Sequence, residues 1–319
     1  MTSPRIRTLC SSLPALVCAL ACNSPASPDL SFDRTVERAA VPGRPFGVQV
    51  SSQGVMYVTQ QDGNALTRFD LPSLTSTGTV RNVGNDPGEV IFTADGQVAY
   101  TVNVLGDDVS RVNVAAGTVT TTYPVGETVF RIRLSIDETR LYLATPAGTI
   151  RVLDAATGAN IDTIAATTGP ANGMALSPDG SRLFVSSTTG GIAEINTATG
   201  AVLRTLPVAG QLQDVGLAAS GTELYVADES GWMKVVSVSS GLATDSVALP
   251  GAFGLALSPD GHFIVVAQSA AGRIAVIDRV SREPVREFLV GGTPRRVAFD
   301  ASGATLAVAN EANAVDVIR

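Results

Sequence analysis

The sequence predicts an all-β chain whose repeated sheets close into one ring, and three observations carry that prediction. The first is composition: 319 residues with 45% hydrophobic but only 5% aromatic side chains, 31 Gly and 17 Pro. This is the mixture of a globular chain rich in short strands and turns. The second is a pattern of alternating apolar residues about a turn that returns every 40 to 42 residues along the chain. Such a period is the mark of a repeat architecture. The third is that the two ends of the chain carry complementary fragments of one repeat.

The chain opens on an address. Arg5 and Arg7 precede an apolar run from Leu9 to Ala21 that ends in small residues before Cys22, the order of a secretory leader. The run is too short to span a bilayer. Ala19-Leu20-Ala21 suits an ordinary leader cleavage site, and the same residues before Cys22 resemble a bacterial lipobox, with Ala19 where such motifs usually carry Leu, Ile or Val. Both readings cut at one bond, and they differ in whether Cys22 becomes the diacylglyceryl anchor. The expectation is a signal peptide over 1–21, then lipidated Cys22 and a Pro/Ser-rich tether through residue 32. With Cys10 and Cys18 lost alongside the leader, Cys22 is left without an intramolecular disulfide partner. Asn23 after Cys22, in place of Asp, points to the outer membrane or another outward-facing envelope site.

The repeats follow. Their first turns are anchored at Gly54, Gly96, Glu138, Gly180, Gly221, Gly261 and Gly303. Six residues before each anchor stand Val48, Val90, Ile132, Met174, Val215, Leu255 and Val297; two residues later come Val50, Phe92, Leu134, Leu176, Leu217, Leu257 and Phe299. Apolar residues at both places in every repeat give the period-2 alternation of a strand. The fourth repeat then continues through Leu183 to Ser187, Ile192 to Asn196 and Val202 to Val208, with a turn at Thr197 to Gly200. Four short strands with their turns fill about 40 residues, the length of a propeller blade.

The last repeat stops at Arg319 after its third strand, and the segment Val36 to Pro45 matches Val285 to Pro294 at the end of the sixth. The amino-terminal strand therefore supplies the missing outer strand of the last blade, which leaves no open edge at the seam. A single seven-bladed β-propeller over residues 33–319 is expected, with four-stranded blades.

These motifs resemble the YVTN repeat β-propellers. The residues that carry the resemblance are Tyr57-Val58-Thr59, Leu224 to Asp228, Leu176 to Gly180 and Leu257 to Gly261, with Val152 to Gly158 and Ile195 to Gly200 at the second turn. They are turn and core residues and speak for fold rather than chemistry. The resemblance implies similarity to lactonases, to cofactor-bearing subunits of quinoprotein dehydrogenases and to exported binding proteins without enzymatic activity.

Candidate chemistry gathers at one mouth of the channel. Seven residues before the anchors stand Gly47, Glu89, Arg131, Gly173, Asp214, Gly254 and Arg296. The second strands end toward the same face at Gln60, Asn103, Thr145, Ser187, Asp228, Gln268 and Asn310. A polar ring of this kind reads as a binding site. Glu89 and Arg131, in adjacent blades, could equally pair with each other. Arg133 is the stronger oddity, since a charge on an innermost strand must be paired or reach solvent. With Arg131 and Arg296 it could clamp an anion through bidentate guanidinium contacts. Phe46, Phe130 and Phe253 lie one residue before the ring, and Trp232 lies in a loop on that face; they read either as partner anchors or as caps on the packing between blades.

The excluded classes are as informative. A formal charge of −7 argues against a nucleic-acid backbone binder. One histidine, His262, predicted in a turn on the opposite face, removes multi-histidine metal sites and most histidine catalysis. Asp179 and Asp260 stand alone in Pro-Asp-Gly turns rather than in a calcium ladder. No cofactor is expected. The reading is a monomeric, non-catalytic envelope module that binds a protein partner or an anionic small molecule and reaches the membrane through Cys22. Its rival is a lactonase-type hydrolase using Glu89, Asp214 and the arginines.

Overall fold

The computed structural model describes residues 34–319; the expected leader, Cys22 and tether lie outside the described residues. Among the described residues there are twenty-eight strands, numbered β1–β28 in chain order, and no helix. They form seven four-stranded antiparallel sheets arranged as the blades of a seven-bladed β-propeller. The inner strands are β2 (Pro45–Val50), β6 (Pro87–Phe92), β10 (Arg131–Leu134), β14 (Ala171–Leu176), β18 (Leu212–Leu217), β22 (Ala252–Leu257) and β26 (Pro294–Phe299).

Burial follows the position of each strand in its blade. In β15 (Arg182–Ser187), a second strand, every residue after the first is buried, because both faces of the sheet pack on neighbouring blades. In β17 (Val202–Leu206), an outer strand, only Leu206 is buried. The apolar clusters sit between blades. Tyr225, Met233 and Val235 of the fifth meet Leu255, Ile264 and Ala275 of the sixth, so each blade is stabilised by its neighbours.

The turn anchors behave alike. The six glycines adopt φ between 68° (Gly96) and 75° (Gly54), and Glu138 takes 58° in the same place. This left-handed region favours glycine and costs a side-chain-bearing residue energy. Glu138 recovers part of that, since its carboxylate accepts the Ala94 N–H of the preceding blade. Asp260 likewise accepts the His262 N–H at 3.0 Å, and His262 is exposed in that turn.

The seam closes as the chain ends imply. β1 (Val36–Ala40) pairs antiparallel with β28 (Ala314–Ile318), Val36 opposite Ile318 and Ala40 opposite Ala314. Thr35 N–H donates to the Arg319 carbonyl at 2.8 Å. Arg38 Nε lies 2.6 Å from Oδ1 of the fully buried Asp316, which fixes the register of the closing strand.

One irregularity positions the candidate site. Six inner strands lose register against their second strand at the place of the charged ring: between Pro45 and Val48, Pro87 and Val90, Ala171 and Met174, Leu212 and Asp214, Ala252 and Leu255, and Pro294 and Val297. Bulges of this kind release a residue from the ladder and re-aim its side chain. The third blade reaches the same result differently, because β10 begins only at Arg131.

Candidate functional site

Seven equivalent positions meet at the channel, and space decides what each can hold. At Gly254 a Cβ would stand 2.2 Å from the Arg295 carbonyl oxygen; at Gly47 it would stand 2.3 Å from that of Gly88, and at Gly173 2.6 Å from the Asp214 Cα. Neighbouring backbones touch there, so only glycine fits. The other four positions send Glu89, Arg131, Asp214 and Arg296 into the channel, and Arg133 joins them from two residues further along β10.

These five side chains form one network. Arg131 Nη2 lies 2.5 Å from Asp214 Oδ1 in the fifth blade, and its Nη1 lies 3.2 Å from Glu89 Oε1 in the second. Arg296 Nη1 donates to Asp214 Oδ2 at 3.1 Å. Arg133 Nη1 donates to Glu89 Oε1 at 2.8 Å, while its Nε donates to the Met174 carbonyl at 2.9 Å. Each carboxylate also holds the inner edge of the next blade: Glu89 accepts the Ile132 N–H at 2.8 Å and Asp214 accepts the Leu255 N–H at 3.2 Å. Bonds among the second, third, fifth and seventh blades thus cross the channel. Arg131 is only 1% exposed, the most deeply buried of the five.

The network carries more positive than negative charge, with three guanidinium groups against two carboxylates. Burial opposes the ionisation of Glu89, but Arg131, Arg133 and Arg296 outweigh it and hold the carboxyl at about 2. Burial, reinforced by the neighbouring Arg131, draws Arg296 down to about 9 against the pull of Asp214 and Glu89. Burial also opposes the charge on Arg133, yet Glu89 and Asp214 raise it above its ordinary value. Arg131 Nε and Arg296 Nε are buried without a hydrogen-bond partner among the described residues, and Arg131 Nη1 has only its ion pair with Glu89. Buried donors left in that condition favour an added acceptor.

Above the network lies a cavity of about 630 Å³, within the size range of small-molecule sites. Its floor is Glu89, Arg131, Arg133, Asp214 and Arg296, and its rim is made of first-turn residues such as Ser51, Thr93, Pro259 and Asp300. It therefore opens on the face of the first turns, opposite to the face expected from the sequence. The floor arginine nearest to solvent is Arg133, its side chain 27% exposed. Its Nη2 makes no hydrogen bond among the described residues.

The other sequence-derived candidates separate from this group. Asp228 is fully buried inside the fifth blade, where it accepts the Gln211 and Ser230 N–H groups at 2.9 Å and 3.1 Å and lies 2.5 Å from Lys234 Nζ. Burial works against its charge, but Lys234 and Ser230 keep its pKa below the ordinary value. Its neighbours in the expected polar ring behave likewise: Asn103 donates to the Val83 carbonyl at 2.7 Å and Asn310 accepts the Thr293 N–H at 3.0 Å. Those side chains organise loops and do not line the cavity. Trp232 is 43% exposed at the start of β20 (Trp232–Ser237), paired with Asp228 and Ala248. Phe130 is half-buried, its N–H donating to the Ala144 carbonyl at 2.8 Å. Neither lines the cavity.

Phe46 and Phe253 play a different part. Their rings meet edge to face at 6.0 Å, and the Arg296 guanidinium lies 5.4 Å and 4.8 Å from their centroids. Arg295 lies 4.6 Å from Phe253 on the same cluster. Cation–π contact there holds Arg296 in place from the side away from the cavity. The walls include Phe92, Leu257 and Phe299, which the sequence marks only as strand residues. Their signal was present in the apolar positions four residues before each anchor.

Fold and site define the chain as a seven-bladed β-propeller with a charged floor inside its channel. No family model matches the chain, and no curated protein matches it. Among solved structures it is similar to Kuenenia stuttgartiensis hydrazine synthase, with a TM-score of 0.79 over 88% of this chain and 96% of that chain at 21% identity. That likeness is one of fold.

Proposed function

We propose that the protein is a non-catalytic binding propeller of the cell envelope, exported and anchored through Cys22, that takes an anionic small ligand in its channel cavity. The observation that carries this reading is the floor: three arginines against two carboxylates, with Arg133 Nη2 making no hydrogen bond among the described residues, at the base of a cavity of about 630 Å³. Guanidinium donors in a partly desolvated site favour a carboxylate or phosphate. The leader and Cys22 motif support export and anchoring, and the repeat motifs support a place among the YVTN repeat propellers.

The hydrolase reading draws less support. A general acid or base works best with a pKa near the operating pH. Glu89 is held at about 2 and accepts a backbone N–H and the Arg133 guanidinium. Asp214 is shared between Arg131 and Arg296.

Calorimetric titration with small carboxylates and phosphates tests the proposal, together with Arg133→Gln. Saturable binding that weakens at least roughly tenfold in the variant, as expected for losing a charged hydrogen-bond donor, is the predicted result. Equal affinity in the two proteins would remove the arginine floor from the site.

A further inference from the structure

The cavity sorts its chemistry by depth. At its base the floor has one positive charge in excess, enough to neutralise a single anionic group. Above it stand half-buried apolar side chains: Ile91, Phe92, Leu134, Leu257 and Phe299. At about 3.3 Å per strand residue, the rim lies on the order of 10 Å above the floor. The rim carries Asp300, whose carboxylate accepts the Thr305 N–H at 3.0 Å and the Ser302 hydroxyl at 2.8 Å. A second anionic group on a ligand long enough to reach the rim would meet a like charge there.

We infer that the ligand is an amphiphilic monoanion, a single carboxylate seated on Arg133 and Arg296 with an apolar body along the channel wall. The inference rests on the anion-binding reading of the same cavity and narrows it. A monocarboxylate neutralises the excess charge of the floor and offers an acceptor to Arg133 Nη2, which makes no hydrogen bond among the described residues. Its hydrocarbon part leaves water for the half-buried walls, a gain that grows with the apolar area covered. A dicarboxylate of similar length forfeits that gain at its far end and is repelled by Asp300. A polyhydroxylated acid fits the floor and leaves the apolar walls unused.

Three ligands separate the outcomes in calorimetric titrations of the protein: octanoate, suberate and gluconate. Octanoate is expected to bind with one site per chain and suberate roughly tenfold more weakly, with gluconate weaker still. Suberate or gluconate binding as tightly as octanoate would overturn the amphiphile while leaving the anion site standing. No binding by any of the three, with none by acetate or phosphate, would overturn both. Asp300→Asn keeps the hydrogen-bonding shape of the turn and removes its charge, so it is expected to narrow the gap between suberate and octanoate by about twofold to fivefold. An unaltered gap would contradict the role given to Asp300.

Discussion

The glycine and the charged positions of the inner ring occupy the same place in the repeat and do opposite things. At Gly47, Gly173 and Gly254 adjacent inner strands touch, with no room for even a methyl group. At Glu89, Arg131, Asp214 and Arg296 polar side chains reach into the channel and tie the third blade to its neighbour, the second, and across the ring to the fifth, which is tied in turn to the seventh. The glycines let the ring close tightly, and the charged residues fill the centre that closure leaves. A repeat thus fixes where a side chain can be placed, and local spacing decides whether it is a contact or a site.

The comparison breaks most readily at Arg131. Arg131→Ala strips counter-charge from two buried carboxylates at once and is expected to destabilise the fold by about 3–5 kcal/mol. Chemical denaturation measures this directly, and a loss below about 1 kcal/mol would show that the network does not hold the ring. Acid acts on the same cluster through Glu89. Its carboxyl titrates at about 2 when folded against 4.5 ordinarily. The stability it contributes is therefore present above its ordinary value and lost as pH falls toward 2. The shift corresponds to roughly 3 kcal/mol, and Glu89→Gln should flatten that part of the stability profile between about 4.5 and 2. On the glycine side, Gly254→Ala drives a Cβ against the Arg295 carbonyl. It should lower stability by about 1–3 kcal/mol, with the melting temperature as the readout; an unchanged value would mean that the backbones can part freely.

Much of the architecture was legible because each blade writes the same alternation. The anchors from Gly54 to Gly303 marked seven first turns, and Val36 to Pro45 marked the closing strand, since apolar periodicity and turn chemistry are local properties of sequence. The charged group was legible only as a set of odd residues. Arg131, Arg133, Glu89, Asp214 and Arg296 stood out against apolar neighbours, but their contacts run across the ring, as between Arg131 and Asp214. No local pattern encodes that distance. The cavity opens on the other face for a related reason. Asp228, Asn103 and Asn310 look like mouth residues in sequence, yet they spend their polar atoms on their own loops. Trp232 and Phe130 share the face without sharing the channel.

The most direct test of the account is a crystal of the protein soaked in bromide, with the anion located by its anomalous scattering. The account predicts a peak on the channel floor within reach of Arg133 Nη2 and Arg296, approached from the face of the first turns. Peaks at surface arginines with none on the floor would contradict it.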